Sequence, residues 1–337
     1  MKKFKLNIII LVLFSLIVMY FSLKDDFSTV ISYILKSNLA WLLVAVIFML
    51  LNILFQSISL YFFIKKIDKK YKFSFALKLT AAGLLFNAIT PFSSGGQPFQ
   101  IYMLKKQGIR ISDSTNILLQ NFITYQLSLI FIGTIAVILN YSMNIFPSSS
   151  LLKKVVLFGY LVNVLVLFLI VFFSFAKKVN TKLFNKIIDF IFKFKFIKNK
   201  EEKREKLTEM LENFYNGSVS LKNNLDVFFK SMLFNTLSLI CLYTLPLFIF
   251  YSMGEAKSIT IIKSLVASGY TYLIGSFVPI PGGTGGLEYG FIEFFKTFKS
   301  GSFISAAMLI WRFITYYLGM IIGMIALLIS KKEDEEE

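Results

Sequence analysis

NAITPFSSGGQP, from Asn87 to Pro98, and PIPGGTGGLE, from Pro279 to Glu288, interrupt otherwise apolar stretches of this 337-residue chain. In hydrocarbon, each unpaired N–H or C=O costs several kcal/mol, so broken backbone survives there only when packed in protein or facing a wet cavity. A pair of such breaks in corresponding parts of two halves is a sequence pointer to a transport site. Working outward from the two clusters means finding the spans that flank them.

Runs of about 17–25 apolar residues are long enough to cross a bilayer as helices. The sequence offers Asn7–Leu23, Leu39–Ile64, Ser114–Leu139, Val155–Ala176, Ser231–Tyr251 and Ser302–Ser330. The expected fold class is therefore an all-α polytopic membrane protein with about six full spans. The stretches 73–100 and 259–298 carry the clusters and read as two re-entrant, Gly/Pro-broken helical hairpins; a full crossing within 259–298 stays open on length. In domain terms, 1–176 is an N-terminal membrane half, 177–230 a basic linker, 231–330 a C-terminal membrane half and 331–337 an acidic tail expected to be disordered. The N-terminus resembles a signal peptide, but its apolar run exceeds an h-region and no A-x-A-like site follows, which favours an uncleaved first span.

Lysine placement gives the orientation. Lys2, Lys3 and Lys5, the five lysines of 65–72, Lys105, Lys106 and Arg110, and the linker from Lys177 to Lys206 all flank the same side, as do Lys331 and Lys332. That places both termini in the cytoplasm of a cell-membrane protein, with 73–100 entering from the cytoplasmic face. The second hairpin then starts and ends outside, an arrangement an inverted repeat would give. In the linker, Leu183, Phe184, Ile187, Ile188 and Ile191 recur at helical spacing opposite Lys182, Lys186 and Lys193, the pattern of a helix lying among head groups or of an ordinary solvated connection.

The formal charge of +17 sits beside the spans, so nucleic acid is not an expected partner. Histidine is absent, which removes His-based acid–base catalysis, the Ser-His-Asp triad and His-ligated metals. Cys241 is the single cysteine and reads as a small buried hydrophobe. SGGQ at Ser94–Gln97 matches an ATP-binding-cassette signature only superficially, because the chain has no phosphate loop. No cofactor, metal or nucleotide is expected.

Around the first break, Asn87, Thr90, Ser93, Ser94 and Gln97 accompany Pro91, Gly95, Gly96 and Pro98; the second has Pro279, Pro281, Gly282, Gly283, Gly285 and Gly286 before Glu288. Glycines permit tight turns and close approach, and prolines free carbonyls. Exposed N–H groups at half-helix N-termini favour phosphate-like anions. An intramembrane ionisable group is a functional candidate by default. Arg312 lies about 15 Å into the last span at 1.5 Å per residue; it is expected to pair with Glu288 or Glu293, or to meet a lipid phosphate. Polar stripes run along Asn52–Gln56–Ser59 and Asn116–Gln120–Thr124, while Gly319–Gly323 forms a G-x-x-x-G packing face after Arg312 and Tyr316.

NAITPFSSGGQPFQIYMLKKQGI and PIPGGTGGLEYGFIEFF resemble the two signature regions of the lysylphosphatidylglycerol synthetase transmembrane (flippase-like) family. The resemblance covers nearly the whole chain and points to Asn87, Thr90, Pro91, Gly95, Gly96, Gln97 and Pro98, then Pro279, Pro281, Gly282, Gly283, Gly285 and Glu288. It implies a membrane phospholipid as partner, phosphatidylglycerol or its aminoacylated form, moved between leaflets. Full-length members that make aminoacylated lipid add a soluble domain using aminoacyl-tRNA, whereas KKEDEEE follows the last span here. The resemblance thus implies translocation rather than transfer, with two alternatives open: a phosphatidylglycerol lysyltransferase-type enzyme using Glu288 or Glu293 as base, and a non-catalytic partner of a separate synthase. A homo-oligomer is equally compatible.

Overall fold

A computed structural model describes residues 27–67, 69–90, 93–146, 156–169, 219, 223–275 and 280–336. The expected first span, Pro91, Pro279 and nearly all of the basic linker fall outside the described residues. All regular structure among the described residues is helical: α1 (Phe27–Leu35), α2 (Leu39–Ile67), α3 (Phe73–Ala88), α4 (Gly96–Lys106), α5 (Ile111–Met143), α6 (Val156–Leu169), α7 (Leu225–Ser252), α8 (Ile261–Gly275), α9 (Gly286–Phe295), α10 (Ser302–Arg312) and α11 (Leu318–Glu336). Leu39–Ile67, Ile111–Met143, Leu225–Ser252 and Ser302–Ile329 are each long and apolar enough to cross a membrane. The chain is a polytopic α-helical membrane protein.

The antiparallel pair α2–α7 is the frame. Asn38 N–H donates to Ser252 O at 2.7 Å at one end, and Asn52 Nδ2 donates to Ser238 Oγ at 2.7 Å midway. Nearer the other end Ser59 and Ser231 share a 2.6 Å hydroxyl bond, joined from α5 by Thr124 at 2.8 Å. Lipid gives apolar faces no reason to associate with one another, so close packing and buried hydroxyl and amide bonds hold such helices together.

Two helical hairpins enter this frame from opposite ends. In the first, Phe86 stacks on Phe99 with ring centroids 4.0 Å apart, and Gln100 Nε2 donates to Leu79 O at 3.1 Å. Its open end lies beside Ile67, where Phe73 meets Tyr61 edge-on and Tyr71 Oη donates to Gln107 O. In the second, α9 lies close on α8 because a Cβ at Gly290 would already sit 3.3 Å from Thr271 Cα. Ser264 and Ser268 both donate to Tyr243 O, at 2.9 and 3.0 Å, and Lys299 Nζ lies 2.7 Å from Glu255, so this open end lies beside Ser252. Hydrogen bonds from Lys299, then Ser258, hold the Glu255 carboxyl below its ordinary value. The limbs contain 16, 11, 15 and 10 residues. At 1.5 Å per residue even the longest rises about 24 Å, short of a ~30 Å hydrocarbon core. Both broken segments are thus hairpins, the second included.

The last apolar segment passes between the tips. It begins on the Ser252 side, with Phe303 against Phe250 (centroids 5.0 Å) and Tyr33 of α1 (5.6 Å), and continues down α3. The structure departs from the sequence reading at several helix ends. α2 reaches Ile67, α5 spans Ile111–Met143, and α4 continues to Lys106 past the expected stop at Gln100. In α2 apolar counting stops at Lys65, although lysine is a good helix former whose stem reaches toward water, and in α5 it stops short of Asp113 and at Asn140, polar residues that the helix carries at its ends. Glutamate is likewise a good helix former, and the backbone stays helical through the acidic segment to Glu336, which was expected to be disordered. Helix α1 was not anticipated.

The G-x-x-x-G face packs on α3, with unequal tolerance. A Cβ at Gly319 meets Met49 Cε at 3.6 Å, an ordinary contact, whereas one at Gly323 meets Ala81 O at 2.7 Å and Leu85 N at 3.0 Å. Gly323→Ala should lower unfolding stability in detergent by about 1–3 kcal/mol through overpacking, while Gly319→Ala stays near wild type; equal melting temperatures for the two would contradict this packing.

Candidate functional site

Arg312 ends α10, and the five residues Phe313–Tyr317 that follow widen into a π turn. Single π turns inside helices are often found at functional sites. Arg312 Nε donates to Glu288 Oε1 at 2.5 Å, and Nη2 donates to Gly282 O at 3.1 Å and Thr284 Oγ1 at 3.2 Å. Glu288 Oε2 in turn accepts the Gly285 N–H at 2.7 Å. Both charged residues are 6% exposed. Burying two charges is costly and tolerable only when they are paired and further hydrogen-bonded, as Nε and Nη2 of Arg312 and both oxygens of Glu288 are here. Glu293 instead accepts from Lys296 Nζ at 2.6 Å, so of the two carboxylates considered from sequence, Glu288 is the partner of Arg312.

Tyr316 ties the two tips together. Its ring lies 4.7 Å from Arg312 Cζ, a cation–π distance, and its hydroxyl donates to Ala88 O at 3.0 Å, at the end of α3. Gly282, with φ +64°, lies against the same ring where no side chain would fit. Tyr316 stands about 21 Å along the segment that starts at Ser302, near its middle at 1.5 Å per residue. The tips therefore meet deep within the helical framework.

At the first tip, Gly95 N–H donates to Thr90 Oγ1 and Gly96 N–H to Asn87 Oδ1, each at 2.8 Å. A Cβ on Gly96 would fall 2.6 Å from Asn87 Oδ1, so the glycine permits this close approach. These bonds correct one expectation. The N–H groups of Gly95, Gly96 and Gly285 are not free for an incoming anion, because Thr90, Asn87 and Glu288 already cap them. Short polar side chains two to several residues away compete effectively for such local donors.

Between the tips and the frame lies a cavity of about 500 Å³, within the 300–1,000 Å³ typical of small-molecule sites. Of the residues singled out around the two breaks and the last span, Asn87, Ser93, Gln97, Gly282, Gly283, Arg312, Tyr316 and Gly319 line it. Thr90, Gly95, Gly96, Pro98, Pro281, Gly285 and Glu288 form the turns behind that lining and are absent from its wall. Asn52 and Gln56 of the first polar stripe face the cavity, but Asn116, Gln120 and Thr124 do not. The Thr124 hydroxyl instead accepts from Asn235 Nδ2 at 3.1 Å, a contact between helices.

Sequence reading missed Gln100, Asn121, Tyr125, Asn235 and Tyr272, as well as Gln126, which donates to Asn163 Oδ1 at 2.9 Å. A usable signal existed for Asn235: Ser231, Asn235 and Ser238 repeat the i, i+4, i+7 spacing of Asn52, Gln56 and Ser59. For Asn163, a single polar residue in an apolar run, no pattern was available. Among the described residues, the cavity wall carries one formal charge, Arg312.

Opposed, glycine-broken hairpins closing on a polar cavity inside an apolar helical frame define a polytopic membrane protein of the broken-helix type. The chain belongs to the lysylphosphatidylglycerol synthase TM region family, which it matches over residues 8–323. It is similar to a UPF0104 membrane protein of Methanocaldococcus jannaschii, 25% identical over 347 residues covering 99% of this chain and 97% of the relative. It is also similar to a UPF0104 membrane protein of Archaeoglobus fulgidus, 24% identical over 274 residues, with 76% of each chain covered.

Glu288→Gln leaves Arg312 buried without its counter-charge and should cost about 3–5 kcal/mol. The double variant Glu288→Gln/Arg312→Met should recover much of that loss in thermal unfolding of the detergent-solubilised protein. Additive losses in the double-mutant cycle would contradict the pairing.

Proposed function

We propose that this protein translocates a phospholipid between leaflets, with the head group in the cavity and the acyl chains left in the bilayer. The observation that carries the reading is the meeting of two oppositely entering hairpin tips on a single polar cavity deep in an apolar frame. A polar head group crossing bare hydrocarbon gives up its hydration without compensation. A wall of amides, hydroxyls and one guanidinium replaces those lost bonds. Phosphatidylglycerol and its aminoacylated form are the candidate cargoes suggested by the family, with Arg312 facing the phosphate.

In this reading the end carrying Lys65, Lys66, Lys69, Lys70, Lys105 and Lys106 lies in the cytoplasm of a cell-membrane protein. The first hairpin then opens inward and the second outward. Transfer chemistry receives less support from the geometry. A general base needs a free carboxylate, whereas Glu288 is engaged by Arg312 and Gly285, and Glu293 by Lys296.

A leaflet-resolved assay on purified protein in liposomes tests the proposal. Labelled phosphatidylglycerol or its lysyl form should cross faster than in protein-free vesicles. Glu288→Gln/Arg312→Met should slow it by about tenfold, the equivalent of one charge-assisted hydrogen bond. Movement no faster than in empty vesicles for every anionic and aminoacylated lipid tried would overturn it.

A further inference from the structure

The lining itself discriminates among head groups. We infer that the cavity selects phosphodiester lipids with a hydroxyl-rich, uncharged head-group moiety, a polyol or sugar, over cationic aminoacylated ones; this rests on reading the cavity as a head-group site. Nine of its lining residues are asparagine or glutamine, and none among those described is Asp, Glu or Lys.

Among the described residues, several of these amides are held by one atom with the other left uncommitted. Asn87 and Asn121 accept through Oδ1, from Gly96 N–H at 2.8 Å and Ser59 Oγ at 2.7 Å, which leaves their NH₂ donors. Asn235 and Gln100 donate through nitrogen, to Thr124 Oγ1 and to Leu79 O, each at 3.1 Å, which leaves their carbonyl oxygens. A primary amide offers two donors and an acceptor with two lone pairs, so this wall presents fixed donors and acceptors side by side.

A hydroxyl both donates and accepts, and therefore satisfies both kinds of site. An ammonium only donates, and its strongest partner is a carboxylate. The carboxylate at this site is already committed, since Glu288 holds Arg312 and the Gly285 N–H. Arg312 uses Nε and Nη2 on protein groups, and its Nη1 donors have no partner among the described residues although the side chain lines the cavity. One phosphodiester fits those donors. A head group lacking hydroxyls would displace water and leave the amides unpaired, the situation in which polar pockets discriminate most sharply.

The test is lipid retention by the full-length protein in detergent, quantified by mass spectrometry after washing. Phosphatidylinositol, phosphatidylglycerol, lysyl-phosphatidylglycerol, phosphatidylethanolamine and phosphatidate compete at equal concentration. Phosphatidylinositol and phosphatidylglycerol should be enriched about tenfold or more over the other three. Gln97→Leu replaces a cavity-lining amide with no hydrogen bond to the described residues; it should cut the phosphatidylinositol preference about threefold to tenfold with the melting temperature unchanged. Equal or tighter retention of the lysyl lipid, or of phosphatidate, would overturn the inference, as would an unaltered preference in the variant. Because retention needs no transport, this outcome is separable from the liposome assay: hydroxyl selectivity without translocation would sink the transport reading and leave the head-group assignment standing.

Discussion

Backbone polar groups deprived of water must find partners within the protein, and the architecture follows from meeting that requirement twice. Each hairpin tip places its turn deep inside an apolar framework, where unpaired N–H and C=O groups are most costly. The solution is local at the first tip, where Asn87 and Thr90 reach across the turn to the Gly95 and Gly96 amides. At the second it is imported, since Arg312 supplies donors to the Gly282 carbonyl while Glu288 satisfies Gly285. Glycine at these places lets the capping atoms approach closely, and Tyr316 then binds one tip to the other.

The frame answers a different need. Apolar side chains gain nothing by leaving lipid, so the α2–α7 pair relies on a column of small polar residues from Asn38 to Ser59. The hairpins can be short because α2 and α7, not the hairpins, are long enough to span a bilayer. Frame and cavity share some residues: Ser57, Ser59, Ser231 and Ser238 are wholly buried between helices, Gln97 faces the open space, and Asn52 and Asn121 bond frame serines while lining the cavity.

Much of this was legible in the sequence. Proline and glycine clusters in apolar runs have few physical explanations, so both hairpins and their opposed entry could be read from Asn87–Pro98, Pro279–Glu288 and the placement of lysines. For Arg312 the sequence left two carboxylates or a lipid phosphate as partners, and of the carboxylates Glu288 prevails because it lies in the first turn of α9, beside the tip that Arg312 also binds. What failed depended on rotation of helices about their own axes. On α5 the stripe Leu118, Asn121, Phe122, Tyr125, Gln126 and Leu129 faces the cavity, while Asn116, Gln120 and Thr124 are turned about one residue, roughly 100°, away from it. Both stripes have helical spacing, and only tertiary packing selects between them. The amides of the glycine turns were misread for a related reason: a donor looks free in sequence until a neighbouring Asn or Thr adopts the rotamer that caps it.

The placement of the cavity also has an electrical consequence. Among the described residues the polar cavity lies toward the Ile67 end of α2, while buried apolar side chains such as Phe250, Phe294 and Phe303 fill the Ser252 end. Water in that cavity would thin the insulating layer from one side only, and the transmembrane voltage would then fall mainly across the packed end. A net charge displaced through that end would meet most of the drop, about 2.3 kcal/mol per 100 mV for each elementary charge.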